Sequence, residues 1–226
     1  MSHLDTELQI LKSETIEMWT LVNSQLAKGK QSLLTLDKDL AREVIMTEKR
    51  VNANELKLDR DCENIFALFT PVAIDLRFVL AVLKINSNLE RTGDIAEGIA
   101  KFVLHVDDQF DRNLLQITRV IEMYEAANNM MKDVLQAFEH EDTALARKVF
   151  QMDELLDEIN LKANTVIADY IRSNSENIEA ALYVLSIIRK LERVGDQTKN
   201  MAEELIFYIE AKVLKHRTRK EKEKEA

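Results

Sequence analysis

Two pairs of acidic residues stand four apart at matching places in the chain, Glu90 with Asp94 and Glu192 with Asp196. On a helix that spacing puts both carboxylates on one face, one turn apart. Like charges so placed repel by roughly a few tenths of a kcal/mol. A chain that repeats the arrangement calls for a compensating cation, which an arginine or a metal ion can supply. Further acids fit the same pattern, because residues equidistant from a short loop face each other across an antiparallel helix pair. With a turn centred near residue 173, position 153 falls opposite about 193 and position 157 opposite about 189, and Asp153 and Asp157 occupy these places. The spacing predicts that as many as four carboxylates gather between two helices. Folding about Thr70-Pro71 likewise brings Glu48 and Asn52 opposite Asp94 and Glu90, the same pattern less one charge, which predicts a weaker site.

Oxygen-rich clusters of this kind suit hard or borderline divalent and trivalent cations. A plainer reading stays open beside it. Each Glu-Arg-x-Gly-Asp run can be a solvated face on which Arg91 pairs with Asp94 and Arg193 with Asp196, contacts worth little at a surface. Gly93 and Gly195 lie inside these runs, where each costs about 1 kcal/mol relative to alanine, so close approach of a neighbouring backbone is expected there.

The elements that position these residues are helices. Leu4, Leu8, Leu11, Met18, Val22 and Leu26 form one apolar stripe, expected to end near Gly29. The period resumes from Leu40 to Phe69, breaks at Thr70-Pro71, and continues from Val72 to about Val103, with Pro71 suited to the first turn and Asp75 to the positive helix end. The second half repeats the plan over Leu114 to Phe138, Ala144 to Tyr170 and Ile178 to Ile209. Six helices in two sets of three follow. LERTGD at Leu89 to Asp94 realigns with LERVGD at Leu191 to Asp196 at an offset of 192 − 90 = 102, and LAREV at Leu40 matches LARKV at Leu145 at 145 − 40 = 105. The duplication gives an all-α fold of two tandem three-helix bundles, residues 1–107 and 108–211. The charged run from 212 to 226 buries too little to order itself and is expected to be frayed or disordered, with a basic contact patch as the alternative.

Composition narrows the function. Four glycines and one proline cannot supply the tight turns of a sandwich or barrel. A net charge of −9 disfavours nucleic-acid binding. Cys62 is the single cysteine, which excludes an internal disulfide and a thiolate zinc site, and it is expected to fill the core. No leading basic-then-apolar segment marks a secretory signal, and the apolar runs fall short of the roughly 20 residues that span a bilayer, so a cytoplasmic protein without membrane insertion is expected. No Glu-x-x-His pair, phosphate loop, nucleophile elbow or His-Glu-x-x-His motif occurs, and no catalysis is expected.

With PVAIDLR at Pro71 to Arg77, LERTGD and LERVGD in this order and spacing, the chain resembles the PhoU family, accessory regulators of bacterial phosphate uptake. The resemblance covers nearly the whole chain. It implies that Glu90, Asp94, Glu192 and Asp196, with Asp153, Asp157 and Glu48, are similar to residues that hold surface metal clusters, often iron or zinc. Asn52 departs from the acidic pattern that Asp157 keeps. The resemblance further implies a cytoplasmic homodimer acting between the phosphate transporter ATPase PstB and the sensor histidine kinase PhoR, damping uptake and starvation signalling when phosphate is plentiful. The alternative is a metal-free helical scaffold that docks basic partners on its acidic faces.

Overall fold

The computed structural model describes residues 2–107 and 109–214. Among them are seven α-helices and no strand: α1 His3–Thr35, α2 Lys38–Phe69, α3 Ala73–His105, α4 Arg112–Thr118, α5 Val120–His140, α6 Thr143–Ser173 and α7 Ile178–Glu210, with one 3₁₀ turn at Ser175–Asn177. α1, α2 and α3 form one antiparallel bundle; α4 with α5, α6 and α7 form the other.

The turn that sets each acidic helix in register is itself duplicated. Leu36 (φ 50°) ends α1 in the left-handed region and Asp37 caps α2, its carboxylate accepting from Leu40 N at 2.9 Å. At the corresponding place 142 − 37 = 105 residues on, Glu141 (φ 57°) ends α5 and Asp142 accepts from Leu145 N at 2.9 Å. Each cap satisfies an otherwise orphaned amide, fixing where α2 and α6 begin and so where Glu48 and Asp153 fall.

Four expectations are corrected. α1 runs through Gly29 to Thr35, because Gly29 is a packing position: a Cβ there would stand 2.5 Å from the Tyr124 hydroxyl oxygen. The helix expected over Leu114 to Phe138 is broken at Arg119 (φ 55°). Thr118 Oγ1 donates back to Leu114 O at 2.7 Å, and Arg119 turns its guanidinium onto Glu122 at 2.7 and 2.8 Å and Glu158 at 3.3 Å. Pro71 lies outside α3, whose N-cap is Val72. At the other end Lys212 pairs with Glu210 at 3.1 Å and Leu214 is buried, so the charged tail packs at its start; residues 215–226 lie outside the described residues.

One core serves both bundles. Its seam is aromatic: Trp19 of α1 lies 5.8 Å from Phe138 of α5, Phe138 lies 6.3 Å from Phe78 of α3, and Phe78 meets Tyr208 of α7 edge-on at 5.3 Å. Polar latches cross the same boundary. The Trp19 indole donates to Met131 O at 3.2 Å, Arg77 Nε to Tyr208 O at 3.0 Å, and Lys84 to Glu204 at 2.9 Å. Cys62 is fully buried, and desolvation pushes its thiol up to about 12, as a core residue requires. No helix among the described residues is long and apolar enough to cross a membrane.

Candidate metal centres

Each repeat presses one buried carboxylate from its second helix against the glycine of its Glu-Arg-x-Gly-Asp run. Glu48 of α2 is 4% exposed, and a Cβ on Gly93 would stand 2.7 Å from its Oε2. Asp153 of α6 is 5% exposed, and a Cβ on Gly195 would stand 2.7 Å from its Oδ1. The close approach expected at the two glycines is therefore made by side chains, not by a backbone: a carboxylate at both, joined at Gly195 by Leu156 Cδ2 at the same 2.7 Å. An alanine at either place would drive a charged group out of its berth, which accounts for glycine in mid-helix.

In the second repeat Asp153, Asp157, Glu192 and Asp196 share one electrostatic neighbourhood. Glu192 is raised above the usual carboxylate range by desolvation and then by Asp196 and Asp157. Desolvation also raises Asp153, against the opposing hydrogen bond from Lys199. The cationic side chain among them is Lys199, not an arginine. Its ammonium donates to Asp153 Oδ2, and to Asp196 Oδ1 at 2.9 Å. Desolvation alone would lower that ammonium, yet these two carboxylates outweigh it and hold Lys199 above the ordinary lysine value. Asp157 is exposed.

Among the described residues the first repeat has no such counter-ion. Position 199 − 102 = 97 is Glu97, which accepts from Lys101 at 2.5 Å. Gln25 of α1 donates Nε2 to Glu48 Oε2 at 2.9 Å, but Glu48 Oε1 is buried with no partner. Desolvation, then Asp94, Glu97 and Glu90, push Glu48 up to about 7 against that one hydrogen bond. Glu90 is raised by desolvation and by Asp94 and Glu55. Asn52 is exposed.

Arg91 is not paired with Asp94, nor Arg193 with Asp196, within 4.0 Å, so the solvated-pair arrangement is absent at both runs. Among the described residues no three His, Cys, Asp or Glu side chains lie together as ligands of one ion. In the first repeat the buried Glu48 Oε1 is without a partner and Asp94, Glu97 and Glu90 act on its carboxyl, oxygen donors of the type a hard cation takes, but they do not stand together as a ready-made ligand set. In the second repeat Lys199 already occupies the cation's place between Asp153 and Asp196, although Asp153 Oδ1 is likewise buried and unpartnered. Lys199 was readable, standing three residues after Asp196 on the same helix face; Gln25, from a third helix, was not.

Fold and clusters together define a class: all-helical proteins made of two copies of a three-helix unit, each copy setting carboxylates of its second helix against its third. The chain belongs to the PhoU family, whose PhoU domain model matches residues 15–103 and again 120–205. It is 30% identical over 213 residues to the phosphate-specific transport system accessory protein PhoU homolog 1 of Thermotoga maritima, covering 94% of this chain and 91% of that protein. To the accessory protein PhoU of Escherichia coli it is 29% identical, covering 94% and 87%. The crystal structure of PhoU from Pseudomonas aeruginosa superposes with a TM-score of 0.86 at 27% identity, covering 93% of this chain and all 100% of that one. The phosphate transport system regulatory protein PhoU from Streptococcus pneumoniae gives 0.83 at 28% identity, over 93% and 99%.

Proposed function

We propose that this chain is a cytoplasmic, cation-responsive adaptor that represses phosphate uptake and phosphate-starvation signalling, acting between the ATPase of the phosphate ABC transporter, PstB, and the sensor kinase PhoR. The observation that carries the reading is the twice-built carboxylate cluster on a chain whose relatives are named accessory and regulatory proteins of phosphate transport. An adaptor of this kind catalyses nothing; it works by binding one conformation of each partner better than the other. Glu48, Glu90 and Asp94 would hold a divalent or trivalent ion, with iron and zinc the first candidates, and the ion would supply the charge that draws α2 and α3 together.

Deleting the gene in its host should switch on phosphate-starvation genes in phosphate-rich medium, and the wild-type gene, but not a Glu48→Ala, Glu90→Ala, Asp94→Ala version, should restore repression. Unaltered expression after deletion would overturn the regulatory reading. Full restoration by the triple variant would remove the ion and keep the adaptor. Lys199 favours a second reading for the second repeat alone, a metal-free acidic face whose lysine replaces the ion and which docks basic segments of a partner.

A further inference from the structure

Where α3 and α7 pack against each other between the repeats they leave a groove of about 470 Å³. Its charged lining is Arg91, Asp94, Glu97 and Lys101 from α3, with Lys190 and Arg193 from α7. Arg91 and Arg193 are the arginines of the two Glu-Arg-x-Gly-Asp runs, so the duplication delivers both to one place. Neither has an acidic partner within 4.0 Å among the described residues.

Lys190 is the most constrained of the cations. Its side chain folds into the notch at Gly98, where a Cβ would stand 2.5 Å from Nζ and 2.9 Å from Cε. The ammonium lies 5.9 Å from the centre of the Phe102 ring and has no hydrogen-bond acceptor among the described residues. A half-buried ammonium held in place with no acceptor of its own has its donors available to an incoming anion. Glu97 is held by Lys101 at 2.5 Å, so Arg91, Lys190 and Arg193 face a single unpaired carboxylate, Asp94.

We propose that this groove is an oxyanion site that takes a compact phosphate-type dianion on Arg91, Lys190 and Arg193. Two arginines supplied to one groove from two helices offer guanidinium forks that suit tetrahedral oxygens, and the lysine adds a point charge. The site uses different side chains from the carboxylate clusters except Asp94, whose charge acts on both Lys190 and Glu48. It rests on neither the proposed ion nor the regulatory reading.

The test is calorimetric titration of the full-length protein, stripped with EDTA so that phosphate bridged by a carboxylate-bound ion makes no signal, with inorganic phosphate, sulfate and AMP in separate arms. Saturable one-to-one phosphate binding is expected. Lys190→Gln, and separately Arg91→Gln with Arg193→Gln, should each weaken it about tenfold or more, because each removes a charged hydrogen-bond donor. Lys148→Gln, an exposed lysine of α6, should leave it unchanged. Lys190→Gln removes a desolvated charge and is expected to fold; phosphate should raise the melting temperature of the wild type and not of this variant. Tighter binding of AMP than of phosphate would assign the site to a phosphomonoester, and the reverse to the free anion. No saturable heat from the wild type in any arm, or undiminished affinity in both sets of variants, overturns the proposal, and leaves the gene-deletion result to judge the regulatory role by itself.

Discussion

Glu97 and Lys199 hold the same place in the duplicated third helix, 199 − 97 = 102 residues apart, and carry opposite charges. Lys199 joins Asp153 to Asp196, whereas Glu97 adds to the negative charge around Glu48. The two copies have therefore diverged at the residue that decides whether a cluster carries its own counter-ion. Asn52, which reads in the sequence as the weak point of the first site, is the smaller difference.

Lys199→Met should destabilise the protein. Removing one partner of a buried pair costs roughly 3–5 kcal/mol, and with Lys199 itself partly exposed about 2 kcal/mol is expected in urea unfolding. Asp153→Asn in the same chain should recover most of the loss. Added manganese should stabilise Lys199→Met more than the wild type, since the variant exposes a carboxylate set without a cation. Equal stability of Lys199→Met and wild type would mean that the ammonium neutralises nothing.

Glu48 should make the protein less stable as the solution becomes more alkaline. Its value in the fold, about 7, lies above the ordinary 4.5, so between these pH values the folded chain keeps a proton that the unfolded chain has released. Stability then falls as pH rises from 4.5 to about 7. Glu48→Gln, which keeps the shape and drops the charge, should be more stable than wild type by roughly 1–3 kcal/mol at pH 8 and indistinguishable from it at pH 4. Denaturation curves at the two pH values decide; a difference that is constant with pH would rule out titration of Glu48 as its source.

Tyr124 is fully buried with an unpartnered hydroxyl, and that oxygen is what excludes a side chain at Gly29. Tyr124→Phe should therefore be neutral or stabilising by about 1 kcal/mol, because no hydrogen bond is lost. Gly29→Ala should destabilise the wild type, and in the Tyr124→Phe background it should gain up to about 1 kcal/mol from helix propensity. The non-additivity of this double-mutant cycle, measured thermally, is the readout.

Helix identity and the repeat were legible because both are written in local spacing: apolar residues at helical period, and LERTGD matched to LERVGD. That Glu48 lies across from the Asp94 turn of α3 was also legible, since it follows from a short turn of fixed length, but that its carboxylate fills the space at Gly93 was not. What escaped the sequence was set by contacts between distant elements. Gly29 reads as a stop until Tyr124, from the other bundle, is placed over it, and Arg119 reads as mid-helix until Glu122 and Glu158 are seen to hold it. Lys199 is different: its spacing from Asp196 was visible, but only the reach of Asp153 from α6 to α7 shows that it serves two carboxylates at once.

Trp19 is the chain's one tryptophan, it is fully buried, and its indole is hydrogen-bonded across the boundary between the bundles. The molecule thus carries an intrinsic optical probe at the very joint where its halves meet. Any ligand or partner that prises the repeats apart would wet that ring and move its emission to longer wavelength, while an event confined to one bundle would leave the spectrum where it was.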